Sequence, residues 1–290
     1  MSINFINELK NAISSNIPTS SNIIGEVVKT IYDKSSSVAD LADLIERDPP
    51  LSARVLKTAN SAYFGSSVTI NSIKRAIVIL GFDIIKELTT TVSVVHYFFN
   101  NPQNPEIDLP GLWKHSVGTA KAAQIVSQKI NQERPEVVYT IGLLHDLGKI
   151  ILAISFPDYY KKVLQLVKEK NYRIILAEQK ILNTDHCMMA KILCDSWNLP
   201  EELSAAIFYH HDPMMTPQGS QVLARLVNVG DYICRKAKIG NPGDDTLTEP
   251  SKAVMSFFGT TTEKINENID PIYQEFIKSR ADIEGFFLNL

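Results

Sequence analysis

The sequence of 290 residues predicts an all-α fold, because three patterns agree. Apolar residues recur every three or four positions in nearly every segment, which is the spacing of one face of an α-helix. The sequence lacks the clear alternation of apolar and polar residues that would indicate half-buried strands. Residues that start or stop helices, such as the Pro49-Pro50 pair and Gly81, stand between the periodic segments.

The first hundred residues contain six predicted helices. Polar residues that can accept backbone N–H bonds stand before three of them. These helix caps are Ser36 or Ser37, Asp48 ahead of two prolines, and Asn71 or Ser72. The predicted apolar faces of the first five are, in chain order, Phe5, Leu9 and Ile13; Ile24, Val27, Val28 and Ile31; Val38, Leu41, Ala42 and Ile45; Leu51, Val55, Leu56 and Ala59; and Ile73, Ala76, Ile77 and Leu80. The sixth predicted helix is apolar and runs from about Ile84 to Phe99.

Three loops rich in proline or glycine divide the chain at residues 100–111, 212–219 and 240–250. The first loop contains three prolines and is the clearest break. We therefore expect an N-terminal helical layer over residues 1–100 and a core over residues 111–240. The third loop is expected to separate this core from C-terminal helices over residues 241–290.

The composition narrows the class of protein. A hydrophobic fraction of 44% with 21% charged residues is typical of a soluble globular protein. The formal net charge of -3 gives no electrostatic reason to expect nucleic acid. We expect no membrane span, because His145, Asp146 and Lys149 interrupt the most apolar stretch, and no secretory signal is visible. Three cysteines without a CxxC pair favour a reducing cytoplasm, and Cys187 could be a soft metal ligand.

Five of the six histidines fall into one pattern with two aspartates. Imidazoles and carboxylates are ligands that Zn, Fe, Mn and Ni accept. Seven such groups are too many for one ion, whose shell of at most about six also admits water. The pattern therefore predicts two ions with Asp146 between them. The candidate ligands are His115, His145, Asp146, His186, His210, His211 and Asp231.

The segment around His145 and Asp146 carries further candidate groups. Neighbouring side chains on a helix diverge by about 100°, so these two would face two sides of one space. Gly142 and Gly148 lack a Cβ atom and let other backbone approach closely. Lys149 shares the face of His145 and Asp146 and could either meet a phosphate oxygen or pair with a carboxylate.

The other candidate ligands belong to separate predicted helices. His115 opens one helix, His186 lies in the first turn of another, and the His210-His211 pair ends a third. Asp231 lies on a helix among apolar residues, where a carboxylate is costly unless it is paired or coordinated.

The order of these residues resembles the HD superfamily of metal-dependent phosphohydrolases. Five segments resemble its HDOD branch, and the resemblance covers about residues 15–240. It implies an all-α fold, with a multi-helical core and an additional N-terminal layer, and a cytoplasmic role in bacterial signalling. The segments are residues 48–64 (DPPLSARVLKTANSAYF), 76–81 (AIVILG), 112–116 (LWKHS), 142–149 (GLLHDLGK) and 197–200 (WNLP).

The related HD-GYP phosphodiesterases hydrolyse a cyclic dinucleotide at an iron or manganese site. After His210-His211 this chain reads DPMMTP and lacks the GYP motif, which argues against that activity. Many members of the HDOD branch have lost metal ligands and act as interaction modules. This chain retains the whole set, so the resemblance implies two divalent transition-metal ions, iron or manganese, with nickel or zinc as alternatives.

Two classes of function follow. In the first, the protein is a signalling module with a structural or sensory metal site, whose partners are signalling proteins or a second copy of the chain. In the second, it is a phosphohydrolase acting on a nucleotide or another phosphorylated small molecule, with Asp146 and Lys149 as catalytic residues. The sequence offers little basic lining for a phosphate, which favours the module.

Overall fold

The computed structural model describes residues 11, 22–61, 64, 69–99, 107–131, 134–258 and 265–279. Within these ranges the chain forms α-helices and short 3₁₀ segments, with no strand, which confirms the all-α prediction. Phe5, Leu9 and Ile13 of the predicted opening helix lie outside the described residues. So do residues 100–106 of the first predicted loop.

Among the described residues, five complete helices precede the first predicted loop. Capping side chains begin three of them, because their oxygens accept bonds from free N–H groups of the first turn. Ser37 caps α2, Asp48 caps α3 and Ser72 caps α4, which settles the two alternatives left open by the sequence. The helices are α1 (Asn22–Tyr32), α2 (Val38–Glu46), α3 (Pro49–Ala59), α4 (Ile73–Leu80) and α5 (Phe82–Phe99).

Helices α2 to α5 enclose an apolar cluster of their own, with Leu41, Val55 and Ile73 at its centre. Among the described members of the predicted apolar faces, Val38 is exposed: it stands at the first position of α2 with 43% of its surface accessible. Helix α1 packs differently, since its Ile24 belongs to the main core. The proposed boundary between layer and core stays a prediction.

The core is built from eight helices and the 3₁₀ turn at Pro213–Met215. Helix α6 packs against both α7 and α13. Gly142 permits this contact, because a Cβ atom there would lie 2.7 Å from the Cα of Ala120. The core helices are α6 (Leu109–Ile130), α7 (Pro135–Leu144), α8 (Leu147–Ser155), α9 (Pro157–Lys170), α10 (Ile174–Leu182), α11 (His186–Ser196), α12 (Glu201–Phe208) and α13 (Gln221–Lys236).

In the part of the chain that the structure describes, two helices follow the core, α14 (Lys252–Phe257) and α15 (Ile265–Lys278), and α15 packs on α6. The start of α6 differs from the sequence prediction. Asp108 caps this helix by accepting a bond from the N–H of Gly111 at 2.9 Å. His115 therefore lies in the second turn of α6 rather than at its first residue.

The segment Pro135–Ser155 contradicts the expectation that no apolar stretch reaches the length of a membrane span. By length and composition it qualifies, with a mean hydropathy of 1.7. However, 94% of that window is buried inside the fold, and the core helix of a folded protein passes the same test. The helix also breaks at His145 and Asp146, which form a turn between α7 and α8.

Candidate metal centre

The structure brings all seven predicted side chains together in the middle of the core. The rings of His145 and His210 are 4.9 Å apart, measured between their centroids. The side chains of five of the seven are at most 1% exposed, and His211 and Asp231 are the two exceptions. They come from five places: α6 (His115), the α7–α8 turn (His145 and Asp146), the start of α11 (His186), the turn after α12 (His210 and His211), and α13 (Asp231).

One half of the cluster, the aspartate half, consists of His115, His145, Asp146 and Asp231. The Nε2 atom of His115 lies 3.0 Å from Oδ1 of Asp231 and 3.7 Å from Oδ2 of Asp146. The Nε2 atom of His145 lies 3.3 Å from the same Oδ2 atom. His115, His145 and Asp146 each offer a ligand atom within 4.8 Å of the others, which is close enough for one ion.

The other half, the histidine half, consists of His186, His210 and His211 together with Asp146. The Nε2 atoms of His186 and His211 are 3.1 Å apart. Two nitrogen ligands placed roughly 2.1 Å from one ion at a right angle lie roughly 3.0 Å apart, so this pair fits a shared ion. Oδ1 of Asp146 faces His186 at 3.4 Å, whereas Oδ2 faces the aspartate half. Asp146 thus lies between the two halves of the cluster, and its role as a bridging ligand stays a prediction.

Three of the histidines form a hydrogen bond through Nδ1 with an acceptor outside the cluster. A ring whose Nδ1 carries the proton presents the lone pair of Nε2 on its other side, which is how most metal-binding histidines are oriented. The acceptors are the carbonyl of Gly142 for His145 at 2.6 Å, the carbonyl of Ile207 for His210 at 2.7 Å, and the carboxylate of Glu178 for His186 at 2.6 Å.

The electrostatics of His210, His211 and Asp146 suit a cation. Burial, reinforced by neighbouring histidines, lowers the pKa of His210 and His211 well below the ordinary value, so both rings are neutral. Burial opposes ionisation of Asp146, but favourable electrostatic interactions with His145 and Lys149 outweigh it and hold the pKa of Asp146 well below the usual range. Neutral imidazoles and ionised carboxylates are the forms that bind metals.

Two buried atoms of the cluster have no hydrogen-bond partner among the described residues. They are Oδ1 of Asp146 and Nε2 of His210. Unsatisfied buried polar atoms are costly and call for an explanation, of which a bound ion is one. With the donor set described above, these atoms show that the residues present fit a divalent metal.

Lys149 is fully buried beside the carboxylate of Asp146. Its ammonium group donates to Oδ2 of Asp146 at 2.7 Å and to the carbonyl of Pro242 at 2.9 Å. Of the two roles that the sequence left open, this geometry matches pairing with a carboxylate. The neighbouring Gly148 is needed sterically, since a Cβ atom there would lie 1.9 Å from the carbonyl oxygen of His186.

The loop at residues 240–250 does more than the predicted separation of two regions, because it closes one side of the cluster. Gly240 has a φ of +72°, and a Cβ atom there would lie 2.2 Å from the backbone nitrogen of His115. The carboxylate of Asp244 accepts bonds from Arg235 at 3.2 Å and from the N–H of Ile174 at 3.0 Å. Arg235 in turn holds both oxygens of Asp231, at 2.9 and 3.1 Å.

Sequence reasoning missed Glu178, Arg235, Asp244 and Cys234 as neighbours of the site. The thiol of Cys234 lies 3.6 Å from Nδ1 of His115. Arg235 lies four residues after Asp231 on the same helix, so local spacing does relate these two. No such spacing relates Glu178 to His186 or Cys234 to His115. Cys187, considered as a soft ligand, is buried 3.8 Å from Nδ1 of His210, and burial raises the pKa of its thiol.

A cavity of about 180 Å³ reaches the cluster from the surface. His211 and Asp231 contribute to its wall, together with Arg173, Arg235 and residues of the 240–250 loop. A wider cleft of about 910 Å³ lies between the end of α1 and the helices α6 and α7. None of the seven clustered side chains lines that cleft.

The fold and the cluster define a class: an all-helical protein with a buried histidine–aspartate site suited to divalent metals. The HDOD domain matches residues 17–213, which is about two thirds of the chain. The chain belongs to the HDOD family.

Known proteins show the same fold. An HDOD domain protein of unknown function from Geobacter sulfurreducens is 26% identical, with a TM-score of 0.76 over 96% of both chains. A Shewanella amazonensis SB2B protein, provisionally designated a phosphohydrolase, is 20% identical, with a TM-score of 0.73 over 98% of both chains. An uncharacterized protein of Treponema pallidum (strain Nichols) is 23% identical over 240 residues, 82% of this chain but only 45% of that relative. The chain therefore spans less than half of this curated relative.

Proposed function

We propose that this chain is a metal-binding HDOD signalling module whose buried centre holds two divalent transition-metal ions. The observation that carries the proposal is the position of Asp146, whose two oxygens face the two halves of the cluster. Iron or manganese is the proposed metal, and nickel or zinc would use the same donors. One ion would be held by His115, His145, Asp146 and Asp231, and the other by His186, His210, His211 and Asp146.

The closure of the centre favours a structural or sensory role for the ions. The side chains of Asp146 and four of the five histidines are almost completely buried, and the 240–250 loop covers one side. Lys149, the cation next to the bridging carboxylate, is engaged by that loop and does not line the cavity. The proposed partners are signalling proteins or a second copy of the chain.

A phosphohydrolase is the second candidate, and the cavity of about 180 Å³ supports it. It leads from the surface to His211 and Asp231. Arg173 lines it and makes no ion pair with any residue in the described ranges, so its guanidinium is available to bind phosphate oxygens. Two bound ions would supply an activated water and stabilise charge at phosphorus. Lys149 would then serve to keep Asp146 ionised between them.

Metal analysis coupled to an activity screen tests both candidates. We expect the purified chain, loaded with Mn²⁺ or Fe²⁺ and dialysed, to retain about two ions and to hydrolyse none of a panel of phosphomonoesters, nucleotides and phosphodiesters. Failure to bind any ion would contradict both candidates. Robust turnover that is lost in Asp146→Ala and weakened in Arg173→Ala would establish the phosphohydrolase instead.

A further inference from the structure

Two fully buried residues outside the predicted ligand set connect to His186. Oε2 of Glu178 accepts bonds from both the ring Nδ1 of His186, at 2.6 Å, and its backbone N–H, at 2.9 Å. The other carboxylate oxygen accepts a bond from the hydroxyl of Tyr160 at 3.0 Å. Burial next to Glu178 raises the pKa of Tyr160, so the hydroxyl keeps its proton and remains the donor. Glu178 therefore connects α9 and α10 to the first residue of α11.

Among the histidines of the centre, this backing by a carboxylate is specific to His186. Behind His145 and His210 stand backbone carbonyls, and behind His115 stands the thiol of Cys234. A carboxylate that accepts a hydrogen bond from Nδ1 makes Nε2 a stronger metal ligand than a neutral acceptor does. The reason is that the carboxylate stabilises positive charge on the ring. His186 is thus the candidate nitrogen ligand whose bond to an ion is strengthened by a carboxylate partner.

In the aspartate half of the centre, basic side chains compete with an ion for the carboxylate oxygens. Both oxygens of Asp231 accept bonds from Arg235, so an ion there shares its carboxylate with a guanidinium. Oδ2 of Asp146, which faces that half, already accepts a bond from Lys149. In the histidine half, by contrast, Nε2 of His210 and Oδ1 of Asp146 have no hydrogen-bond partner among the described residues.

We infer that Glu178 is a positioning residue that makes the two ion sites unequal. The ion of the histidine half is the tightly held one, and the ion of the aspartate half exchanges more readily. Tyr160 supports this role by fixing the second oxygen of Glu178. The inference rests on the proposed function, since it concerns the same two-ion centre.

Titration of the metal-free chain with Mn²⁺ tests the inference, with free ion followed by electron paramagnetic resonance. For the native chain we expect two steps of different affinity. Glu178→Gln keeps the shape of the side chain but removes its charge, and it should weaken the tighter step by about 10- to 100-fold and leave the weaker step unchanged. Tyr160→Phe should weaken the same step by less, because the contact of Glu178 with His186 persists.

Glu202→Gln is a matched control. Glu202 also accepts a hydrogen bond from a tyrosine, Tyr32, but it contacts none of the clustered side chains. This variant should leave both Mn²⁺ affinities unchanged. Thermal unfolding of the metal-free variants separates a general loss of stability from a selective loss of one ion.

The possible outcomes separate the two proposals. A native chain that binds no Mn²⁺ overturns the proposed function and the inference with it. Two bound ions whose affinities both fall equally in Glu178→Gln, or do not change, overturn the inference alone. If Glu178→Gln does not fold, Tyr160→Phe decides, because a tighter step that stays unchanged in that variant contradicts the inference.

Discussion

The N-terminal layer and the core differ in the kinds of side chain that they bury. The layer encloses Leu41, Val55, Ile73 and their aliphatic neighbours, which gain free energy simply by leaving water. The core has a larger apolar cluster, but it surrounds histidines, aspartates and Lys149 that are almost completely buried. Burying a charge is costly unless it is paired or bound to a metal. The apolar cluster of the layer is therefore stabilised mainly by packing, although α5 also buries Lys86, which pairs with Asp83 and Glu136. The stability of the core depends more on how its buried charges are compensated.

Of the changes considered, removal of the Asp146 carboxylate should have the largest effect on the stability and metal content of the core. Asp146→Ala leaves the buried ammonium of Lys149 without its carboxylate partner, which destabilises a protein by about 3–5 kcal/mol. It also removes the ligand shared by both ion sites. We expect a large loss of unfolding free energy in urea, measured without metal, and the release of at least one ion measured by mass spectrometry. His115→Ala, in comparison, should weaken only the site in the aspartate half.

A cavity in the layer should be costly without touching the metals. Leu41 is fully buried in the apolar cluster of the layer, and a buried Leu→Ala change costs about 2–5 kcal/mol. We expect Leu41→Ala to lower the free energy of unfolding by this amount while about two ions stay bound. If the metal content of Leu41→Ala fell together with its stability, the expectation that packing in the layer does not affect the metal centre would be wrong.

Removal of the metals should destabilise the folded chain by a smaller and adjustable amount. A ligand that binds only the folded state stabilises it by about 2.7 kcal/mol at a free concentration 100-fold above its Kd. We expect chelation to lower the Tm of the native chain and of Leu41→Ala by similar increments. It should leave the Tm of an Asp146→Ala variant that has lost its ions unchanged. A Tm of the native chain that ignores the chelator would contradict a stabilising role.

The smallest effect is expected at a helix cap. The carboxylate of Asp48 accepts the N–H of Leu51 at 3.0 Å at the start of α3. Replacing such a cap with alanine costs about 1 kcal/mol. Asp48→Ala should shift the denaturant midpoint slightly, with the metal content unchanged. A shift as large as that of Leu41→Ala would mean that Asp48 has a role beyond capping.

Much of the fold could be predicted because helix signals are local. The caps at Asp48 and Ser72 act on backbone groups three residues away, so the sequence alone predicts Asp48 and narrows the other cap to Asn71 or Ser72. The all-α class follows from the 3.6-residue periodicity for the same reason. Val38 shows the limit, since whether an apolar residue at the end of a helix is covered depends on its neighbours in space.

The seven clustered side chains were also evident from the sequence, because few residue types bind metals and their pattern is unusual. The chemistry around them depended on tertiary structure. Glu178 behind His186 joins two helices, and the carbonyl of Pro242 that holds Lys149 comes from 93 residues further along the chain. Side-chain pairing over such distances follows from packing, which no local spacing encodes. The sequence by itself determined the helices and the donor atoms, and the tertiary structure decided which donors are free, which are paired and how deeply they are buried.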